Sequence, residues 1–429
     1  MSCKSWKTYK LGDLGSFFGG VTSIKPSDYG FGTPFLTYKN IFKNSKVDIN
    51  ELELMNVRPQ DVEKRAAIYG DIFFTASSET PDEVAMSSVL LDSVPNLTYN
   101  GFCKRYRLND FEILLPEFAR YLFRSRLFRE AVCQVATGDI RFNISQESLS
   151  NIKVHLPSIT EQKRISRVLF ALDDKIELNH RINDNLEQQA QAIFKSWFVD
   201  FELFKGGEFV ESKLGKIPAE WSILPIEDIA ERVAMGPFGS NIKVETFVDS
   251  GIPIISGNHL RGLFLDELGY NFITEEHARR LSNSIVHAGD IIFTHAGNIG
   301  QVALIPENCD YSYYIISQRQ FYLRCDKQKA LPEYINYFFH SRKGQGYLLA
   351  NASQTGVPSI ARPSSHLKSI VLPIPPIQVQ QDWLNIVKPM LQMLNKNSKE
   401  IKKMSSLRDT LLPKLMSGEL SVEDAERQL

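Results

Sequence analysis

The stretch from Glu161 to Phe201 contains neither proline nor glycine, and its apolar positions advance by fours and threes. The stripe reads Ile165, Leu169, Leu172, Ile176, Asn179, Asn183, Leu186, Ala190, Ile193, Trp197. A 3.5-residue repeat keeps one face toward a partner helix, so the spacing predicts a long helix in a coiled coil. Some 40 residues at about 1.5 Å each make a rod of roughly 60 Å. A single stripe on such a rod cannot bury itself. The same stepping recurs 218 positions later, at Trp383, Val387, Met390, Leu394, Asn397, Ile401, Met404, Arg408, Leu411 and Leu415. One such stripe is readily an ordinary amphipathic core helix; two at one offset point to each other. Asn183 is expected to face Asn397 in an antiparallel pairing, where a buried asparagine lowers stability and fixes register. Alternatively, Asn179 and Asn183 simply fall on the edge of the seam. Pro389 falls inside the second stretch and predicts a bend or restart near Lys388.

The helix echo is part of a larger one. Gly32–Ile41 (GTPFLTYKNI) matches Gly251–Leu260 (GIPIISGNHL), and Tyr69–Ser77 (YGDIFFTAS) matches Ala288–Ala296 (AGDIIFTHA). Leu115–Ser125 matches Leu331–Ser341, and Asn151–Gln162 matches Ser369–Gln381 with their Leu-Pro pairs aligned. The chain of 429 residues is thus a tandem duplication. Short β-branched and aromatic runs, Ile72–Thr75, Ile252–Ile255, Ile291–Thr294 and Phe321–Arg324, read as strands. One helix follows each Leu-Pro-Glu, over 116–132 and 332–348. The expected class is α+β, each half a strand-rich domain followed by a long helix. The segments are 1–157 and 221–373 for the strand-rich domains, 158–204 and 374–420 for the helices, 205–220 for a polar linker and 421–429 for a tail. Gly-Asp-Ile reads as a turn leading into a buried strand, with Asp71 and Asp290 bonding within the turn.

No catalytic constellation emerges. There is no His-Glu-x-x-His pair, Gly215-Lys216 is followed by Ile217 rather than Ser or Thr, and no Gly-x-Ser-x-Gly or Asn-Pro-Pro-aromatic motif occurs. No metal site is expected. Cys3, Cys103, Cys133, Cys309 and Cys325 are scattered without CxxC spacing, which fits free thiols in a reducing cytoplasm. No apolar run reaches a membrane-spanning length, and a cytoplasmic location is expected. A binding module fits better than an enzyme.

Five motifs occur in order: Trp-x-x-x-x-Leu/Ile-x-Asp from Trp6 and Trp221, Gly-Asp-Ile-x-x-Thr, Leu-Pro-x-x-x-x-Gln, Ser196–Phe201 (SWFVDF) and Leu411–Leu420 (LLPKLMSGEL). Together they resemble the specificity subunit of type I restriction–modification systems, over essentially the whole chain. The resemblance implies two target recognition domains, each reading one half of a bipartite double-stranded DNA site, and two antiparallel conserved helices docking two methyltransferase subunits. It implies nuclease–translocase (restriction) subunits on that core. Adenine N6 methylation with S-adenosylmethionine, and the use of ATP and Mg2+, would belong to the partners, leaving this chain without cofactor. Half-sites about 34 Å apart per helical turn are compatible with a roughly 60 Å rod. Because the halves differ, the target should be asymmetric.

DNA contacts would come from polar and basic groups at strand ends, Lys and Arg on phosphates and Arg, Asn, Gln and Ser on base edges. In the first half the candidates are Lys39, Asn40, Thr75, Ser77, Ser78, Lys104, Arg105, Arg141 and Asn143. In the second they are Asn258, His259, His295, Asn298, Gln318, Arg319, Gln354, Ser359 and Arg362. Arg120, Arg124, Arg126 and Arg129 are either a phosphate-facing ridge or a solvated helix face. The rival to DNA reading is a scaffold whose two β-rich domains bind protein or glycan at the ends of a coiled-coil spacer.

Overall fold

The computed structural model describes residues 6–22, 24–138, 141–267, 269–353 and 356–427. Cys3 and Gln354 lie outside them. The chain forms two compact units, residues 1–180 with 399–429, and residues 181–398. Each of the two long helices, Ile159–Phe198 and Ile377–Ser417, contributes one part to each unit.

The two units repeat one topology. In the first, Gly15–Gly19, Cys103–Leu108, Ile72–Thr75 and Ser87–Val89 form an antiparallel sheet in that order. In the second, Ala230–Met235, Gln320–Cys325, Ile291–Thr294 and Val302–Leu304 do the same. A further sheet in each unit holds a parallel pair, Tyr29–Leu36 with Thr98–Tyr99 and Ile252–Ile255 with Tyr314–Ile316. Each globular part is closed by its own ends: Lys7–Lys10 pairs with Lys153–Leu156, and Ser222–Pro225 with Val371–Ile374.

Two polar devices recur inside these cores. The Asp71 carboxylate accepts the Ile68 amide at 2.9 Å, and Asp290 accepts that of His287 at 2.8 Å. These are the expected turn bonds. Each buried carboxylate also takes a bidentate arginine from the adjacent strand, Arg107 at 2.7 and 2.7 Å and Arg324 at 2.8 and 2.7 Å. A buried charge persists only when paired and hydrogen-bonded, and the arginine fork meets that need. The second device is a buried glutamine at the start of each long helix. Gln162 accepts the Leu115 amide at 3.0 Å and donates to the carbonyls of Ile113 and Pro157. Gln380 does the same with Leu331, Lys329 and Pro375. Pro375, not Pro373 of the Leu-Pro pair, therefore stands in for Pro157. The motif alignment was two residues out of register there.

Within each unit the long-helix segments run antiparallel. In the first, Ile165, Leu169 and Leu172 are buried in one core with Leu411 and Leu415. Asn179 donates to Glu400 at 2.8 Å, while Asp173 receives Arg408 at 3.0 Å and Arg120 at 2.8 Å. In the second unit, Asn397 donates to the Asn183 Oδ1 at 2.9 Å. There Ala190, Phe194 and Phe198 share a core with Trp383, Val387 and Leu394. Phe194 and Phe198 are buried where the four-three stepping chose Ile193 and Trp197, which are half-buried beside them. The 3.6-residue helix drifts past a 3.5 repeat, and the two phenylalanine rings reach Trp383 and Tyr334. Ile176, Leu186 and Ile401 are half-buried.

Two local expectations are corrected, and two segments named only as linker and tail carry structure of their own. The second long helix runs unbroken through Pro389 and Pro413. Both prolines lie on its exposed face, where the carbonyls they leave unpaired meet water. The helices after Leu-Pro-Glu each break in two, Pro116–Leu122 then Arg126–Val135, and Pro332–His340 then Arg342–Leu348. Ser125 and Ser341 end the first piece and cap the second. The supposed linker carries an antiparallel hairpin, Phe209–Ser212 with Gly215–Pro218. The supposed tail forms a short helix, Val422–Glu426, whose Val422 and Ala425 are buried. Among the described residues Cys103, Cys133, Cys309 and Cys325 are free thiols, and no helix is long and apolar enough to cross a membrane.

Replacing Gln162 with alanine strands one buried amide and two carbonyls. It should cost about 2–4 kcal/mol, read as a lower urea midpoint. Lys163→Ala, on an exposed position one residue later, should leave that midpoint unchanged.

Candidate nucleic-acid interface

The strand ends of each unit are held together by the main chain. In the first unit Ala76 donates its amide to the Phe102 carbonyl at 2.9 Å, and Ile144 donates to Ala76 at 3.1 Å. In the second, His295 donates to Arg319 at 2.9 Å and Ile360 donates to His295 at 2.8 Å. Three segments thus meet at one end of each sheet: a strand end, the turn before its neighbour, and a returning strand. Short pairings finish the frame, Ser77–Ser78 with Phe142–Asn143 and Ala296 with Ser359. The Gly257-Asn258 turn adjoins this end in the second unit, because a Cβ on Gly257 would stand 3.0 Å from Gln301 and 3.8 Å from Thr294.

Several candidates are exposed on this frame. Arg141 and Asn143 lie together on the returning segment of the first unit, with Asn143 donating to the Arg141 carbonyl at 3.1 Å. Lys39 is exposed and Lys104 is half-buried. In the second unit Asn258, Asn298, Gln318, Arg319 and Arg362 are exposed, and Ser359 is half-buried. Arg362 is held at φ +46°, a left-handed conformation that costs a non-glycine residue about 1 kcal/mol or more. His295 is half-buried, and its Nε2–H donates to the Gln318 carbonyl at 3.1 Å. Burial pulls its pKa below the usual imidazole value, so near pH 7 it is a neutral side chain rather than a phosphate cation.

Other candidates are inside the fold. Asn40 is buried, donating to the Asp48 carbonyl at 2.8 Å and accepting the Asp48 amide at 3.1 Å. It follows Lys39 on a helix, so one faces water and the other the core. Thr75 is buried and accepts the Met86 amide. Ser77 and Ser78 are buried in the short pairing, with Ser78 donating to Glu83. Arg105 is buried, donates to the carbonyls of Arg65 and Ala66 and lies over the Phe18 ring at 4.7 Å. Burial pulls its pKa down. His259 is buried, accepts the Ser256 amide and stacks on Tyr270. Strand-end position alone did not distinguish these from their exposed neighbours.

The arginine series is neither ridge nor solvated face. Arg124 donates to the carbonyls of Ser87, Ile41, Phe42 and Asn44, and burial pulls its guanidinium down to about 10. Arg129 donates to the carbonyls of Ala85, Asp82 and Val84. Arg120 pairs with Asp173, and only Arg126 is exposed, beside Glu130. Two exposed phenylalanines on the frame, Phe102 and Phe238, went unremarked in the sequence. Their Gly-Phe and Pro-Phe-Gly settings were the available signal. No cluster of three or more potential metal ligands occurs among the described residues.

Asn40→Ala should lower folding stability by about 1–3 kcal/mol, the cost of stranded buried groups. Lys39→Ala should stay within about 0.5 kcal/mol of the parent; equilibrium denaturation of both compares them.

The model of the type I restriction modification DNA specificity domain matches the chain twice, over residues 3–188 and 218–403. The type I restriction enzyme MjaIX specificity subunit of Methanocaldococcus jannaschii is 27% identical, with 98% of this chain and 95% of that one aligned. The EcoKI specificity subunit of Escherichia coli K12 is 21% identical over 98% of this chain and 90% of its own. The crystal structure of a type I restriction-modification S subunit from M. genitalium superposes with a TM-score of 0.61 over 97% of each chain, at 15% identity. With two copies of the domain and a shared fold, the chain belongs to the type I restriction modification DNA specificity family.

Proposed function

We propose that this chain is the non-catalytic, DNA-reading subunit of a type I restriction–modification complex, each unit reading one half of an asymmetric bipartite site. The supporting observation is the duplicated strand-end frame. Its backbone bonds are the same in both units while its exposed side chains differ, Arg141 and Asn143 in one and Gln318, Arg319 and Asn258 in the other. One frame with two sets of tips suits two different half-sites. Arginine and asparagine or glutamine are the groups that make paired hydrogen bonds to guanine and adenine edges.

The long helices would dock two methyltransferase subunits, with restriction subunits joining that assembly. S-adenosylmethionine, ATP and Mg2+ would be bound by those partners, which would place the whole complex in the cytoplasm. The protein- or glycan-binding scaffold lacks such support, since the family match covers both halves.

Competition binding at fixed salt, using the chain assembled with its methyltransferase subunits, tests this. The complex should discriminate one split duplex site from scrambled DNA by roughly 10³-fold or more. Equal binding to all duplexes would refute it. Arg141→Ala should weaken recognition of one half-site and Arg319→Ala the other, each by about 1–3 kcal/mol. If either variant weakens both halves equally, that arginine is a general phosphate contact.

A further inference from the structure

Each unit carries one strongly exposed phenylalanine on its strand-end frame, Phe102 at 65% and Phe238 at 77% of full exposure. A lone exposed apolar residue means little by itself. These two are distinguished by their placement and by their stems.

Phe102 occupies the turn that bonds Ala76, and its own amide is held by the Asn100 side chain at 2.8 Å. The equivalent turn position in the second unit is Arg319, which bonds His295 in the same way. There the ring comes from the neighbouring loop instead. Gly236 donates to the Gln320 carbonyl at 2.8 Å, and a Cβ on it would overlap the Ser317 carbonyl. Pro237 is buried, and Phe238 follows directly. In the first unit that loop position belongs to Gly20, where a Cβ would likewise overlap the Asn100 carbonyl, and Thr22 takes the place of Phe238. Each frame therefore presents one ring and one polar residue on the same two adjoining loops, with the assignment exchanged: Thr22 and Phe102 in one, Phe238 and Arg319 in the other. Both rings stand out from segments anchored by backbone bonds, so little ordering is lost when they are covered.

We propose that Phe102 and Phe238 are specificity-determining residues, each packing on a thymine 5-methyl group in one half-site. This rests on the DNA-reading function proposed above. The methyl is the apolar group that a base pair presents in the major groove, and an aromatic or small apolar side chain reads it. The exposed Arg141 and Asn143 on one frame, and Gln318 and Arg319 on the other, supply the polar contacts that a lone ring lacks.

The test uses the chain assembled with its methyltransferase subunits and duplexes carrying its methylated site, with deoxyuridine replacing thymine in one half at a time. Removing the contacted methyl should weaken the wild-type complex about fourfold. Phe238→Ala should weaken cognate binding on the order of tenfold, through one half-site, and deoxyuridine in that half should then make no further difference. Phe102→Ala should behave likewise on the other half. Phe238→Leu should retain part of the thymine preference. The proposal is overturned if the alanine variants bind cognate DNA as the wild type does, if each weakens both halves equally, or if the deoxyuridine penalty persists without the ring. A wild-type complex that fails to tell cognate from scrambled duplex would instead overturn the DNA-reading function itself.

Discussion

In each half a buried glutamine side chain ties the strand-rich part to the first turn of the long helix that follows it. Gln162 and Gln380 sit in the first turn of their helices, where free backbone groups would otherwise be stranded in the core. Each spans three backbone groups, two of them before the Leu-Pro-Glu helix and one before its own helix. A carboxylate could accept the amide but could not donate to the two carbonyls. The direction of each rod relative to its own globular part therefore depends on a side chain with both a donor and an acceptor end. The hydrophobic stripe gives the rods their attraction, and the glutamine decides where they start.

Much of this was legible in the sequence, because the repeat and the periodicities are backbone-scale signals. The two long helices, the buried strands after Gly-Asp and the Asn183–Asn397 contact all follow from spacing. The turn bonds of Asp71 and Asp290 were legible too, but their arginine partners were not. Arg107 and Arg324 are 36 and 34 residues away along the chain, and pairing across strands leaves no local trace. The helix breaks at Ser125 and Ser341 were missed for the opposite reason. The apolar periodicity carries on across them, while a serine cap ends the helix by a hydrogen bond that periodicity does not record.

The candidate interface was less legible than the fold. Lys39 and Asn40 are adjacent, polar and at one strand end, yet one is exposed and the other is fully satisfied inside the fold. Arg105 and Arg124 look like phosphate ligands in the sequence, yet both turn inward and donate to backbone carbonyls. A long cationic side chain beside chain turns has two equally good uses, bonding carbonyls or meeting a ligand, and composition does not separate them. Only the neighbouring backbone does.

The frame itself explains how two copies can diverge at their tips without losing their fold. Ala76 and His295 hold equivalent positions, as do Phe102 and Arg319, and in each pair the bond runs between amide and carbonyl. Such bonds are indifferent to side-chain identity, so an alanine can become a histidine, or a phenylalanine an arginine, with the geometry kept. The buried supports below the tips did not change: Asp71 with Arg107 corresponds to Asp290 with Arg324, and Gln162 to Gln380. The bonds that tie the exchanged tips together are thus main-chain bonds, and the buried side-chain supports are the same in both units. Different side chains on one backbone frame are what an asymmetric pair of DNA readers would need.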